Sequence, residues 1–294
     1  MDEIKILSGI ECSKNVYKKL SVKISSLRLK NIVPGLAAVL IGENPASEIY
    51  IRSKQKMFNS MNLRSKTFRL KSDCKERDVL NLINKLNDNP DFHGILVQLP
   101  LPYHIDSQKI ISTISPKKDV DGFHPENVGL LTIGKPRFIP CTPKGIMRIF
   151  EFEKISLNGK HIVVLGRSNI VGRPISILTS LRGKGKNGTT TICHSGTKGI
   201  KKHTKSADIL ISAIGIPNFI DGSMLKNGSV LIDVGINRIK NKSTSKTQVV
   251  GDANWAKITN TATAATPVPG GVGPMTIAML LENTVFAAER EMLS

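Results

Sequence analysis

A strand buried on both faces of a sheet reads as an unbroken apolar run, and this chain carries a series of them. Leu36-Ala-Ala-Val-Leu-Ile-Gly42 is followed by helical spacing from Ala46 to Met61, and Gly94-Ile-Leu-Val-Gln-Leu99 is preceded by helical spacing from Asp78 to Asn87. A second series begins with Lys160-His-Ile-Val-Val-Leu-Gly166 and continues through 189–193, 209–214 and 229–234. Strands that alternate with helices predict parallel sheets, so the fold class is α/β, with two α/β domains in tandem. The boundary is expected near Pro140 to Pro143. That places one domain at 1–142, completed by a C-terminal helix at 275–294, and a second at 143–274.

Composition narrows the class. The 294 residues suffice for two buried cores, and a 40% hydrophobic content marks a globular chain. The N-terminus lacks the apolar run of a signal peptide, and no stretch reaches the ~18 apolar residues of a membrane span, so no membrane association and a cytoplasmic location are expected. Cys12, Cys74, Cys141 and Cys193 are scattered, with no histidine at ligand spacing, so neither a metal site nor a disulfide framework is expected. The formal charge of +19 would suit nucleic acid, yet aromatics are only 4% and no nucleic-acid-binding motif accompanies the basic residues. Nucleic acid is therefore not expected as a partner. The charge is nevertheless uneven: no Asp or Glu occurs from Lys154 to Ala207, where basic residues are dense. Codon bias would spread positive charge without function; the clustering favours docking of a large anion there.

The turn Gly166-Arg-Ser-Asn-Ile-Val-Gly172-Arg-Pro174 follows an apolar strand and leads into an apolar helix. A strand, a glycine turn and a helix N-terminus form a pyrophosphate site, although Ser168 stands where the usual dinucleotide motif has its second glycine. The next strand ends Cys193-His-Ser195, without the carboxylate that binds the ribose of NAD. Arg167 and Ser195, with Lys198 behind them, suit a 2′-phosphate, which favours NADP as cofactor. The plainer readings are a solvated turn arginine and a capping serine. Ile236, after a later strand, suits either the nicotinamide side of the crevice or the core.

In the first half Tyr50 and Lys54 are four apart and share a helix face, a pattern that many solvated helices also contain. Gln98 sits where an apolar strand gives way to Leu99-Pro100, the end of a strand at which α/β proteins bind ligands. Asp121, in Asp119-Val-Asp121-Gly122, suits a ligand contact or an Asx turn. The stretch Thr266-Pro-Val-Pro269-Gly270-Gly-Val-Gly-Pro-Met-Thr276 is too rich in proline and glycine for helix or strand, and reads as a loop that grips a planar molecule or as a connector with Pro274 in the first turn of the next helix.

Six segments, in order, resemble the bifunctional methylenetetrahydrofolate dehydrogenase/methenyltetrahydrofolate cyclohydrolase family: 46–54, 94–102, 118–122, 140–145, 166–174 and 266–276. The resemblance implies a first domain completed by the last helix, a Rossmann-like doubly wound parallel sheet as the second, and a folate cleft between them. It implies Lys54 as catalytic lysine, with Tyr50, Gln98 and Asp121 as its catalytic neighbours. Tyr50, Gln98, Leu99, Asp121, Pro269 and Gly270 would contact tetrahydrofolate derivatives, with or without polyglutamate tails. Gly166, Arg167, Ser168, Ser195 and Ile236 match the family's NADP contacts. A homodimer is also implied. Two departures stand out: Asn62-Leu63 replaces the family's Gly-Ile after the first helix, and the loop Arg182 to Gly188 is longer and more basic than usual. Asparagine is the next best residue for a left-handed cap, so the turn should survive.

Overall fold

The computed structural model describes residues 3–240 and 247–292. In chain order the elements are β1 (Lys5–Ile6), α1 (Gly9–Arg28), β2 (Gly35–Ile41), α2 (Pro45–Ser60), β3 (Arg64–Leu70), α3 (Glu76–Asn87), β4 (Gly94–Val97), α4 (Ser107–Thr113), α5 (Pro125–Thr132) and α6 (Cys141–Phe152). There follow β5 (His161–Leu165), α7 (Gly172–Ser180), β6 (Thr189–Cys193), α8 (Ile200–Lys205), β7 (Ile209–Ser212), β8 (Ser229–Asp233), β9 (Asn237–Lys240), β10 (Thr247–Val250), α9 (Trp255–Ile258), β11 (Ala262–Ala265) and α10 (Val272–Glu291). The chain groups into two compact units, Met1–Lys14 with Thr142–Thr276 and Asn15–Cys141 with Ile277–Ser294.

One unit holds a six-stranded sheet in the order β1-β11-β8-β7-β5-β6, parallel throughout. The apolar runs of β5, β7 and β8 sit at its centre, where Val163, Leu165, Leu210 and Leu231 are buried together. Burying each such side chain contributes ~1.5–3 kcal/mol. The chain runs from β5 outward to β6 and then returns to the other side of β5 at β7, which creates a topological switch point at the C-terminal ends of β5 and β7. The N-terminal residues join this unit, and not the one expected at 1–142, because β1 pairs with β11 through Lys5↔Ala264 and Ile6↔Ala265. A two-stranded antiparallel ribbon of β9 and β10 completes it.

The other unit is built on a three-stranded parallel sheet, β3-β2-β4. Ala37, Val39, Ile95 and Val97 pack there with Val79, Ile83 and Leu86 of α3. Asn44 caps α2, its Oδ1 accepting from Ala46 N at 3.0 Å and Ser47 N at 3.1 Å, and Pro45 fits the first turn because it has no amide hydrogen to place. Beyond the helix Asn62 takes φ +50°, so asparagine fills the left-handed turn as expected. Asn283 of α10 donates to Val120 O at 2.7 Å and Ile139 O at 3.1 Å.

The expected terminal helix at 275–294 begins earlier, at Val272, and is described to Met292; residues 293–294 lie outside the described residues. The end of the Pro/Gly stretch is therefore helical. Pro274 falls in the first turn, where a helix needs no amide from it. Among the described residues no helix is long and apolar enough to cross a membrane.

Candidate active site

The buried face of α2 is Ser47, Ile51, Lys54 and Phe58, so the helix turns a lysine inward along with its apolar residues. Lys54 is only 8% exposed. Its Nζ donates to Gln98 Oε1 at 3.1 Å. Gln98 lies just past β4, where its backbone N still donates to Val39 O at 2.9 Å and its Nε2 donates to Leu99 O at 2.8 Å. An ammonium has only donors, so the amide must present oxygen to it, and the Leu99 contact holds that orientation. Tyr50 is half-buried one turn before Lys54 on the same helix.

Asp121 arrives through the segment that runs beside β4, where Ile95 N donates to Lys118 O at 2.8 Å. Its turn is capped by Asp119, not by Asp121. Buried Asp119 accepts from Phe123 N at 3.2 Å, His124 N at 2.8 Å and Asn127 Nδ2 at 2.7 Å. Gly122 follows with φ +74°, and a Cβ there would sit 2.9 Å from Pro140 N. Asp121 takes no part in that cap, and its Oδ1 accepts from the Cys141 thiol. Burial pushes its pKa up; the Lys54 ammonium opposes that rise, Asp119 adds to it, and the Cys141 thiol, 3.6 Å from Oδ1, lowers it. Asp119 is also pushed up by burial, against the lowering effect of its three hydrogen bonds.

In the six-stranded unit Gly166 directly follows β5 with φ +108°, and a Cβ there would lie 2.4 Å from the Ala213 carbonyl oxygen. Only bare backbone fits. The amides expected to be free at the start of α7 are in fact taken: Ser168 Oγ accepts from Val171 N at 3.1 Å and Gly172 N at 3.2 Å, and Arg173 N donates to Ser168 O at 3.0 Å. The amides of Arg167, Ser168, Asn169 and Ile170 have no acceptor among the described residues, so the free donors lie one turn earlier. With both lone pairs of Ser168 Oγ engaged, its hydroxyl proton also remains to be given.

Arg167 and Ser195 are exposed. Gly196 N donates to His194 Nδ1 at 3.1 Å, which leaves Nε2 as the protonated nitrogen of the neutral ring. Arg167 Nη1, 3.4 Å from that Nε2, therefore meets a donor with a donor and keeps its hydrogens for an anion. Ile236 is 45% exposed, with Cδ1 beside Gly273, so it is not a core residue. Bare backbone at Gly166, free amides, a spare hydroxyl proton and an unengaged arginine beside a strand end without a carboxylate fit a dinucleotide with a 2′-phosphate.

Pro269 is exposed and Gly270 has φ +103°, its carbonyl accepting from Ile10 N at 3.2 Å. These two group with the Gly166 set, whereas Tyr50, Lys54, Gln98, Leu99 and Asp121 group together in the other unit.

Comparison with known proteins agrees with both halves. The family model for the tetrahydrofolate dehydrogenase/cyclohydrolase catalytic domain matches residues 7–121, and that for the family's NAD(P)-binding domain matches 140–292. The bifunctional protein FolD of Acetivibrio thermocellus is 48% identical over 98% of both chains. Among solved structures, the bifunctional FolD methylenetetrahydrofolate dehydrogenase/cyclohydrolase of Campylobacter jejuni is 41% identical, covers 98% of this chain and 99% of its own, and superposes with a TM-score of 0.92. The Trypanosoma brucei dehydrogenase-cyclohydrolase, solved with NADP and an inhibitor, is 34% identical over the whole of both chains, with a TM-score of 0.94. With both of its domain models matched and close relatives that run its whole length, the chain belongs to the tetrahydrofolate dehydrogenase/cyclohydrolase family.

Proposed function

We propose that Lys54 is the proton-handling residue of a bifunctional enzyme that oxidises 5,10-methylenetetrahydrofolate with NADP and hydrolyses the resulting methenyl compound to 10-formyltetrahydrofolate. The observation that carries this is the buried Lys54 ammonium paired to a Gln98 amide whose orientation is held by Leu99 O.

The oxidation removes a hydride from the methylene carbon, and bound NADP supplies the acceptor. In the hydrolysis, water adds to the electrophilic methenyl carbon and loses a proton; the bond from that carbon to N5 then breaks, the new hydroxyl gives up its proton to become the formyl C=O, and N5 gains one, so one proton is released overall. Lys54 handles these protons as an acid–base group, and as an ammonium it stabilises negative charge developing on the water oxygen. Gln98 holds Lys54 in place without adding charge. Asp121 accepts from the amino and ring N–H edge of the pterin, and the lysine charge helps to keep it ionised despite burial. Tyr50, Leu99, Pro269 and Gly270 are read as folate contacts.

Toward the cofactor, the bare backbone at Gly166, the neighbouring amides and the Ser168 hydroxyl would hold the pyrophosphate. Arg167 and Ser195 would hold the 2′-phosphate, with Ile236 against the nicotinamide. Purified protein given methylenetetrahydrofolate with NADP or NAD, followed at the nicotinamide and methenyl absorbances, tests both steps at once. Absence of NADP-dependent oxidation or of methenyl decay would sink the bifunctional reading. The same reading includes a homodimer acting in the cytoplasm, which the family resemblance supports; a monomer mass by light scattering at micromolar concentration would remove the dimer.

A further inference from the structure

Two carboxylates with no part in the chemistry above sit among the loops at the C-terminal ends of β7 and β8. Asp252 is 0% exposed and Asp233 3%. Asp252 Oδ2 accepts from Ser212 Oγ at 3.0 Å, Ile214 N at 3.0 Å and Gly215 N at 3.3 Å, all on or just after β7. Its Oδ1 accepts from Asn237 Nδ2 at 3.0 Å, just after the β8 loop. Asp233 returns the connection: Oδ1 accepts from Gly235 N at 2.9 Å and Asp252 N at 3.0 Å, and Oδ2 from Ala253 N at 2.8 Å. The two lock over glycines. A Cβ on Gly235 would lie 2.1 Å from Asp252 Oδ1, and one on Gly251 would lie 2.0 Å from Asp233 Oδ2.

The segment that Asp252 holds is the one against which the phosphate turn rests, since Gly166 packs on the Ala213 carbonyl. At its other end Asp252 holds Asn237, next to Ile236. One carboxylate therefore ties the floor under the pyrophosphate turn to the residue facing the nicotinamide. We propose that Asp252 is a positioning residue for NADP, acting through Ser212, Ile214, Gly215 and Asn237 to set the spacing between the Gly166 turn and Ile236. The proposal rests on reading Gly166, Arg167 and Ile236 as cofactor contacts.

A carboxylate that served stability alone would change the melting temperature and leave the affinity of the folded protein untouched. The test is NADPH binding by fluorescence titration, run well below each variant's melting midpoint, for wild type, Asp252→Ala, Asp252→Asn, Asn237→Ala and Arg167→Ala. Asp252→Ala is expected to raise Kd at least about tenfold. Asp252→Asn should stay within about threefold of wild type, because its oxygen can serve the β7 donors while its NH2 donates to a flipped Asn237 amide. Asn237→Ala, which loses a single donor and is the decisive variant if Asp252→Ala does not fold, should weaken binding about threefold. Folded Asp252→Ala, or Asn237→Ala in its place, binding NADPH as wild type does would overturn the proposal. Arg167→Ala separates the two failures: weakened binding there with no effect at Asp252 and Asn237 rejects the positioning role alone, whereas no effect at any of them rejects the cofactor site itself.

Discussion

Replacing Lys54 by methionine keeps the length of the side chain and removes its charge. The variant loses a charge-assisted hydrogen bond to Gln98, worth ~1.5–3 kcal/mol. It also removes a cation held at 8% exposure, whose desolvation costs several kcal/mol per ion. The two effects oppose, and Gln98, only half-buried, can turn its oxygen to water. Stability should therefore stay within about 2 kcal/mol of wild type, measured by urea unfolding. Cyclohydrolase activity should fall by at least the ~10²-fold lower bound for losing an acid–base group. Asp121 adds a second signature. Its carboxyl is raised by burial and held back by the Lys54 ammonium, so without that charge it stays protonated to higher pH. The acid limb of folate kcat/KM should move upward in any residual dehydrogenase activity. Folded Lys54→Met that hydrolyses the methenyl compound at near the wild-type rate would refute the assignment.

Gly166→Ala places a methyl 2.4 Å from the Ala213 carbonyl oxygen at φ +108°, and should weaken NADPH binding at least about tenfold by titration; an unchanged Kd would show that the turn has another use. NADP should be preferred over NAD by at least about tenfold, or ~1.4 kcal/mol, and Arg167→Ala should narrow that ratio in steady-state kinetics. Equal losses for both cofactors would move the 2′-phosphate contact to the lysines after Ser195. The Asp233 carboxyl, pushed up to about 6 by burial, should titrate there by carbon NMR, whereas a midpoint near the unperturbed ~3.9 would refute the buried setting. Because its folded pKa is raised, this group costs stability at neutral pH and returns about 3 kcal/mol as pH falls through 6 toward 4. Asp119 and Asp121, also raised by burial, act in the same sense as Asp233, and His93, whose pKa burial lowers, acts in the opposite sense below its ordinary value.

The central strands were legible because β5, β7 and β8 are buried on both faces and so read as unbroken apolar runs. β3, Arg-Ser-Lys-Thr-Phe-Arg-Leu, is an edge strand whose Arg64, Lys66 and Arg69 are exposed and whose Ser65 and Thr67 turn polar side chains inward, so it carries no such run. β1 has two residues, and nothing local tells a strand that short where it will pair. In the site, a lysine and a tyrosine four apart show a shared face but not which face is buried; that depends on the packing of Ile51 and Phe58 beside Lys54. The glycine turn was legible as a link between strand and helix, yet its free donors lie one turn earlier than expected, because Ser168 spends its oxygen on the helix start. Asp233 and Asp252 are nineteen residues apart in sequence. Their partnership exists only once β8 and the β9–β10 ribbon have brought their loops together.

The grouping of chain segments bears on the order in which the protein can mature as it is made. The six-stranded unit takes its first residues from the N-terminus and is complete in sequence at Thr276. The other unit, although most of it is synthesised earlier, needs residues from Ile277 onward, including the Asn283 amide that satisfies the Val120 and Ile139 carbonyls. Domains fold as units while the chain emerges. The half carrying Lys54 must therefore wait for α10 to emerge, while the half carrying Gly166 already has every strand it requires.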